Sequence, residues 1–373
     1  MKILFACGGT GGHINPAIAV ASYIRQRCPE AQILFAGSPK GMEAKLVTKA
    51  GFNFAPITIK GFQRKLNWHN VKYNVSSVFY LTTASARAHK IIADFGPDIV
   101  MGTGGYVSGP ILRKAAKMGI KTVSHEQNAF PGVTTKLLSK YVDRILLAVP
   151  EARQYLSDRC QYAVVGNPVR ESIIYADREQ ARKKLGVGEK VCILSFGGSQ
   201  GAHRLNEAIA ELMAWHVREG KVRHIHATGM YDVEDFPQML KQLGVNHKDC
   251  PGLDIREYIN DMDDCLAAAD LVIGRAGALT LSELQAAGKG SILIPSPNVA
   301  ANHQYHNAMV LANNNAAVVI EEKDLTGALL CQTVEKLISQ PQKLKELGRN
   351  AQAMAIIDAN QRIYQQIMEL LRQ

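Results

Sequence analysis

The residues best suited to chemistry in this chain sit in glycine-rich turns that follow apolar runs. Gly8-Gly9-Thr10-Gly11-Gly12-His13 comes directly after the run 2–7, and Gly197-Gly198-Ser199-Gln200-Gly201 after 191–196. A helical pattern follows each, over 14–27 and 202–218. Strand, glycine turn and helix in that order aim backbone N–H groups and a helix N-terminus at one spot, which suits an anion such as phosphate. A glycine pair that only lets a helix pack on a sheet would look the same taken singly. The duplication, one turn in each half of the chain, favours ligand binding. A dinucleotide fingerprint is absent, because Ile14 stands where the third glycine of G-x-G-x-x-G belongs, and no Walker lysine motif occurs.

Further loops add polar side chains. The loop 102–110 holds Gly104, Gly105, Tyr106 and Ser108, and its glycines permit close approach of backbone to a ligand or a neighbouring loop. His125-Glu126-Gln127-Asn128 ends a strand-like run and suits hydroxyls or an amide; a helix-capping segment is the plainer reading. The stretch 274–283 repeats strand, turn and helix, with Glu283 in the first turns, where a carboxylate could accept two ribose hydroxyls or simply favour the helix dipole. His303 and His306 lie three apart with no third ligand nearby, which argues against a metal. At the start of its helix His13 is held neutral and basic by the dipole, as a general base for an alcohol must be. A histidine that holds its loop shut fits that position equally well.

These loops need rigid elements behind them. Apolar, β-branched runs read as strands at 2–7, 32–37, 53–58, 98–103, 122–126, 144–149 and 162–166, then at 191–197, 222–228, 253–258, 270–274, 291–295 and 317–321. Helical patterns between most of them give βαβ units and parallel sheets. In such sheets ligands bind beyond the carboxyl ends of the strands, where all these loops lie. The turn-forming stretch 166–170 marks a seam between two α/β domains, and 344–371 reads as one terminal helix.

Lys and Arg outnumber Asp and Glu by 43 to 33, a net charge of +10 that favours a polyanionic partner. No acidic residue lies between Glu43 and Asp94, where Lys60, Lys65, Lys72, Arg87 and Lys90 are interleaved with Trp68, Tyr73 and Phe79. No RNP-like motif, zinc spacing or basic recognition helix accompanies them, so nucleic acid is not the expected partner. No apolar run approaches the roughly 18–20 residues of a membrane-spanning helix. The scattered cysteines, without C-x-x-C, fit reduced thiols in a cytosolic protein.

In order along nearly the whole chain, Gly8 to His13 with Asn15-Pro16, then 104–110, 125–128, 166–170, 197–201, 275–283 and 303–307 resemble the MurG family. These are the bacterial UDP-N-acetylglucosamine–N-acetylmuramyl-(pentapeptide) pyrophosphoryl-undecaprenol N-acetylglucosamine transferases. The resemblance implies an α/β GT-B glycosyltransferase, two Rossmann-like domains with parallel sheets facing a central cleft. Residues 1–166 would form the acceptor and membrane-docking domain and 167–350 the UDP-GlcNAc domain. Residues 351–373 would be a terminal helix packing back near the first domain. The implied reaction is inverting transfer of GlcNAc from UDP-GlcNAc to the muramyl 4-hydroxyl of undecaprenyl-diphospho-MurNAc-pentapeptide (lipid I), giving lipid II for peptidoglycan, without metal or cofactor.

By position, the resemblance assigns Glu283 to the ribose and the backbone near Ile259 to the uracil. Ser199, Arg170 and the helix opening Ala278-Leu279-Thr280-Leu281-Ser282 are assigned to the donor diphosphate, and Asn128 and Gln304 to the GlcNAc. Thr10, Gly11 and Gly12 would lie near the donor sugar and the acceptor diphosphate. His13 is the candidate base, Tyr106 and Glu126 line the acceptor side, and Gly104, Gly105 and Ser108 belong to the acceptor loop. The segment from Lys60 to Lys90 would dock on anionic lipid at the cytoplasmic face of the inner membrane, where cell-wall synthesis proteins are expected partners. Gly274, Lys289-Gly290 and Asn302 depart from the family's usual residues without removing an assigned ligand. Another GT-B transferase with a lipid acceptor, or a UDP-GlcNAc 2-epimerase, is the alternative.

Overall fold

Runs of Ile, Leu, Val and Phe become parallel strands here because helices cover both of their faces. The structure, a computed structural model, describes residues 1–59 and 84–373. Lys60, Lys65, Lys72, Trp68, Tyr73 and Phe79 therefore lie outside the described residues. Two compact units form: Met1–Pro168 with Asp358–Gln373, and Val169–Ile357.

The first unit holds β1 (Lys2–Ala6), β2 (Gln32–Gly37), β3 (Asn53–Pro56), β4 (Ile99–Gly102), β5 (Lys121–Glu126), β6 (Arg144–Leu147) and β7 (Gln161–Val164). They lie in the order β3-β2-β1-β4-β5-β6-β7, parallel throughout. The second unit holds β8 (Val191–Phe196), β9 (Val222–Ala227), β10 (Leu253–Arg256), β11 (Leu271–Gly274), β12 (Gly290–Leu293) and β13 (Ala317–Val319), in the order β10-β9-β8-β11-β12-β13, again parallel. In each sheet the winding reverses beside the first strand, β1 next to β4 and β8 next to β11. A crevice opens at that point because the flanking connections leave in opposite directions. Both glycine turns, and the loops 102–110 and 274–283, fall at these two reversals.

Alternate residues of β1 serve two apolar layers. Ile3 and Phe5 pack with Ile14, Val20 and Ile24 of the helix Gly11–Arg27. Leu4 and Ala6 pack with Val107, Ile111 and Leu112 of the helix Gly105–Lys117. Apart from Ala6, each of these fully buried side chains contributes about 1.5–3 kcal/mol. Phe5 stacks on Phe35 with ring centroids 5.0 Å apart. In the second unit Ile193, Leu271 and Ile273 pack with Leu205, Ile209 and Met213 of the helix His203–Glu219.

The single terminal helix expected over 344–371 is two helices, Pro341–Ala353 and Ala359–Arg372. Two cores claim the two stretches. Leu347 joins the apolar cluster of the second unit, whereas Ile363, Ile367 and Leu370 complete the β1 layer of the first. Arg144 of β6, almost buried, pins the last helix through Glu369 (3.0 Å) and Gln366 Oε1 (2.8 Å). All seven cysteines are free thiols. No helix among the described residues is long and apolar enough to cross a membrane.

Candidate functional site

In the first unit the turns after β1 and β4 come together where glycine leaves room. Gly104 has φ +105°, and a Cβ on it would lie 2.6 Å from His13 Nδ1; one on Gly105, φ +78°, would run into Gly8 O. Thr103 Oγ1 donates to His13 O at 2.6 Å, tying the first helical turn to the end of β4. The buried Ser108 hydroxyl lies 2.7 Å from Ala6 O and accepts from Gly104 N at 3.1 Å, so it fixes the shape of its own loop. Glu43, also fully buried, accepts from Ser38 N (2.9 Å) and Gly9 N (3.4 Å) and braces the first glycine turn from behind.

The end of β5 supplies the second layer of this site. Glu126 is buried and accepts from Asn128 N (3.1 Å), Asn128 Nδ2 (3.1 Å) and Gly132 N (3.2 Å). Its carboxylate therefore orients Asn128 and closes its own loop. Gln127, buried, lies with Nε2 2.9 Å from Thr103 O and 3.1 Å from His125 Nδ1, and with Oε1 3.2 Å from His13 Nδ1. His125 Nε2 meets Gly166 O at 2.9 Å, and burial pushes the pKa of this imidazole down. Thr10 and Gly12 are exposed at the mouth of the turn, and half-buried Tyr106 packs on the apolar layer beneath.

The second unit carries a cavity of about 520 Å³ at its own reversal point. The turn Gly197–Gly201, Thr280 and Gln304 line it, so the structure unites segments about 80 and 100 residues apart in sequence. The helices His203–Glu219 and Ala278–Ala286 both begin at its wall. Each helix N-terminus carries roughly half a positive charge, an arrangement that suits phosphate. Gln304 Oε1 accepts from Ser296 N at 2.9 Å, which fixes its amide at the wall. Ser199 stands exposed on the glycine turn, outside the lining.

Arg170 and Glu283 pair with each other at 3.0 Å. Burial pushes the Glu283 carboxyl up and the guanidinium opposes the shift. Leu281 is buried, Ala278, Leu279 and Ser282 share the first turns of their helix, and Ile259 is buried beyond β10. Among the described residues no cluster of three or more His, Cys, Asp or Glu could hold a metal ion.

Two features of the sites escaped sequence reading. Arg275 lines the cavity, donates to Ile294 O (3.1 Å), and forms an ion pair with Glu322, a residue beyond β13 that no motif marks. The other is Gln127, whose link to His13 spans 114 positions.

Models of glycosyltransferase family 28 match this chain, the N-terminal domain at residues 3–147 and the C-terminal domain at 192–363. The UDP-N-acetylglucosamine--N-acetylmuramyl-(pentapeptide) pyrophosphoryl-undecaprenol N-acetylglucosamine transferase of Acetivibrio thermocellus is 44% identical over 373 residues, 100% of this chain and 99% of its own. The protein of the same name from Ruminiclostridium cellulolyticum is 41% identical over 375 residues, with 100% of both chains covered. A crystal structure of MurG from Acinetobacter baumannii aligns with a TM-score of 0.79 at 28% identity, covering 99% of each chain.

Proposed function

The chain belongs to glycosyltransferase family 28 and to its UDP-N-acetylglucosamine–N-acetylmuramyl-(pentapeptide) pyrophosphoryl-undecaprenol N-acetylglucosamine transferases, and from that membership we propose the following reaction. The enzyme transfers GlcNAc from UDP-GlcNAc to lipid I and makes lipid II for peptidoglycan. The observation that carries the donor half is the cavity onto which two helix N-termini open.

The displacement is a single step with inversion. The muramyl 4-oxygen bonds to C1 of GlcNAc as the bond from C1 to the diphosphate oxygen breaks and UDP leaves with the electron pair. The proton of the hydroxyl passes to a base, and His13 fills that role. It stands in the first turn of the helix Gly11–Arg27, at the mouth of the glycine turn. The negative charge growing on UDP is met by the two helix N-termini and by Arg170, groups that need no reorganisation as charge develops. Arg170 now holds Glu283; a bound donor would take both, its diphosphate the guanidinium and its ribose hydroxyls the carboxylate. Asn128 and Gln304 hold the sugar, and Tyr106 with the loop of Gly104 and Gly105 receives the acceptor.

The acceptor is lipid-linked, so the enzyme works at a membrane surface. The acid-free segment from Lys60 to Lys90 supports docking on anionic headgroups at the cytoplasmic face. The test is incubation with labelled UDP-GlcNAc and lipid I in EDTA. Label appearing in a disaccharide lipid is the expected outcome. Conversion of UDP-GlcNAc to an epimer with no labelled lipid would overturn the reading, and His13→Ala is expected to slow transfer by roughly 10²- to 10⁴-fold.

A further inference from the structure

A neutral imidazole can take a proton only at the nitrogen that lacks one, so His13 works as a base only in one tautomer. The bonds around Gln127 determine which. Thr103 O can only accept, so the Gln127 atom 2.9 Å from it is the NH2 nitrogen. Gly166 O can only accept as well, so His125 carries its proton on Nε2, 2.9 Å away. Buried and neutral, His125 then presents a lone pair at Nδ1, and the Gln127 nitrogen 3.1 Å away donates to it. Two independent acceptors thus require the same orientation of one amide. Its remaining atom, Oε1, faces His13 Nδ1 at 3.2 Å and can only accept. His13 must therefore carry its proton on Nδ1.

We propose that Gln127 is the positioning residue of this reaction: its side-chain oxygen holds His13 as the Nδ1–H tautomer and leaves the Nε2 lone pair for the acceptor hydroxyl. The inference rests on His13 as the base. In the step itself, the muramyl hydroxyl proton moves to Nε2, the alkoxide electron pair forms the bond to C1, and UDP departs with the electrons of the broken bond. The resulting imidazolium keeps its Nδ1–H on Gln127 Oε1. A neutral amide stabilises such a cation less than a carboxylate would. Gly104 allows no atom between the two loops, and the Thr103 hydroxyl anchors the His13 backbone, so ring position and tautomer are fixed together. The other titratable groups nearby are His125 across the amide, Glu126 turned into its own loop, Glu43 beneath Gly9, and Tyr106 on the helix Gly105–Lys117.

The test is ¹⁵N NMR of the whole protein labelled at histidine, with His13 assigned by the signals lost in His13→Asn. The wild type is expected to show the Nδ1–H pattern at His13. Gln127→Met, close in shape but without hydrogen bonds, is expected to move it toward the Nε2–H form that free imidazole side chains favour. Its kcat should fall on the order of 10²-fold with the donor KM little changed. Gln127→Glu keeps an acceptor at the same place. It should recover part of the rate and shift the acid limb of the kcat/KM profile up by about one pH unit, because a carboxylate favours the imidazolium. An Nε2–H signal for His13 in the wild type, or an unchanged tautomer and kcat in Gln127→Met, overturns the proposal. If the tautomers behave as expected while His13→Ala keeps full turnover, the assignment of the base fails and the hydrogen-bond assignment stands.

Discussion

Gly104 has a task no other residue can perform, because its α-carbon faces the His13 ring. An added methyl group would lie 2.6 Å from Nδ1, at a backbone angle that side chains rarely adopt. Gly104→Ala is therefore expected to push the imidazole out of reach of Gln127. The rate should fall at least about tenfold and stability by about 1–3 kcal/mol, checked by steady-state kinetics and thermal unfolding. A variant with unchanged kcat would mean that the ring tolerates displacement. The glycines were legible in the sequence because the backbone geometry they permit is local. Gln127 was named only within the segment 125–128, and its role was not legible, since that lies in bonds to Thr103 and His13, neither of which a linear reading brings near it. Nor was Glu322, which reaches Arg275 only once β13 stands next to β12.

Strands were the most legible elements. Each expected run overlaps an observed strand, because buried parallel strands leave an apolar signature over three to six residues, shorter than a helix needs. The order of strands in each sheet was not legible, as it depends on which connections cross which face. The strand β9, between β10 and β8, shows a further limit. His224 and His226 alternate with Ile225 along it, and both are fully buried against Ser195 of β8, whose Oγ lies 2.8 Å from each. His216 closes the row, Nδ1 to Nδ1 with His224 at 3.1 Å. Burial lowers the pKa of His216 and His226 to about 3 and that of His224 well below its usual value. The unfolded chain binds these protons from about pH 6.5 downward while the folded one does not, so stability is lost as pH falls through that window. Each histidine should contribute a loss of roughly 1.4 kcal/mol per pH unit between about pH 6 and pH 4. Denaturant melts from pH 7 to pH 5 check this. A flat profile, or an unaltered slope in His216→Leu, would count against the row as its source.

The chain as a whole carries +10, and the long acid-free stretch concentrates part of that charge. Of its two described cations named earlier, Arg87 donates to Thr58 O at 2.8 Å and Lys90 pairs with Asp94 at 2.7 Å. Attraction to a lipid surface adds about 1 kcal/mol per basic residue near it. Replacing Lys65, Lys72, Arg87 and Lys90 by Glu is thus expected to cut co-sedimentation with anionic vesicles at least tenfold and to spare turnover of a short-chain, water-soluble acceptor. Unchanged co-sedimentation would move the docking surface elsewhere. The division into two Rossmann-like halves of a GT-B fold was legible in the sequence, whereas the return of the last helix to the first half was expected only through the family resemblance, because it depends on contacts across nearly the whole sequence. That return bears on how the protein is made. Ile3 and Phe5 leave the ribosome long before Ile363, Ile367 and Leu370, yet these side chains share one apolar layer. The half that is synthesised first is therefore finished last. Through the translation of the second half it waits with an uncovered apolar face, the kind of surface that exposes a nascent chain to aggregation, until Ile363, Ile367 and Leu370 emerge.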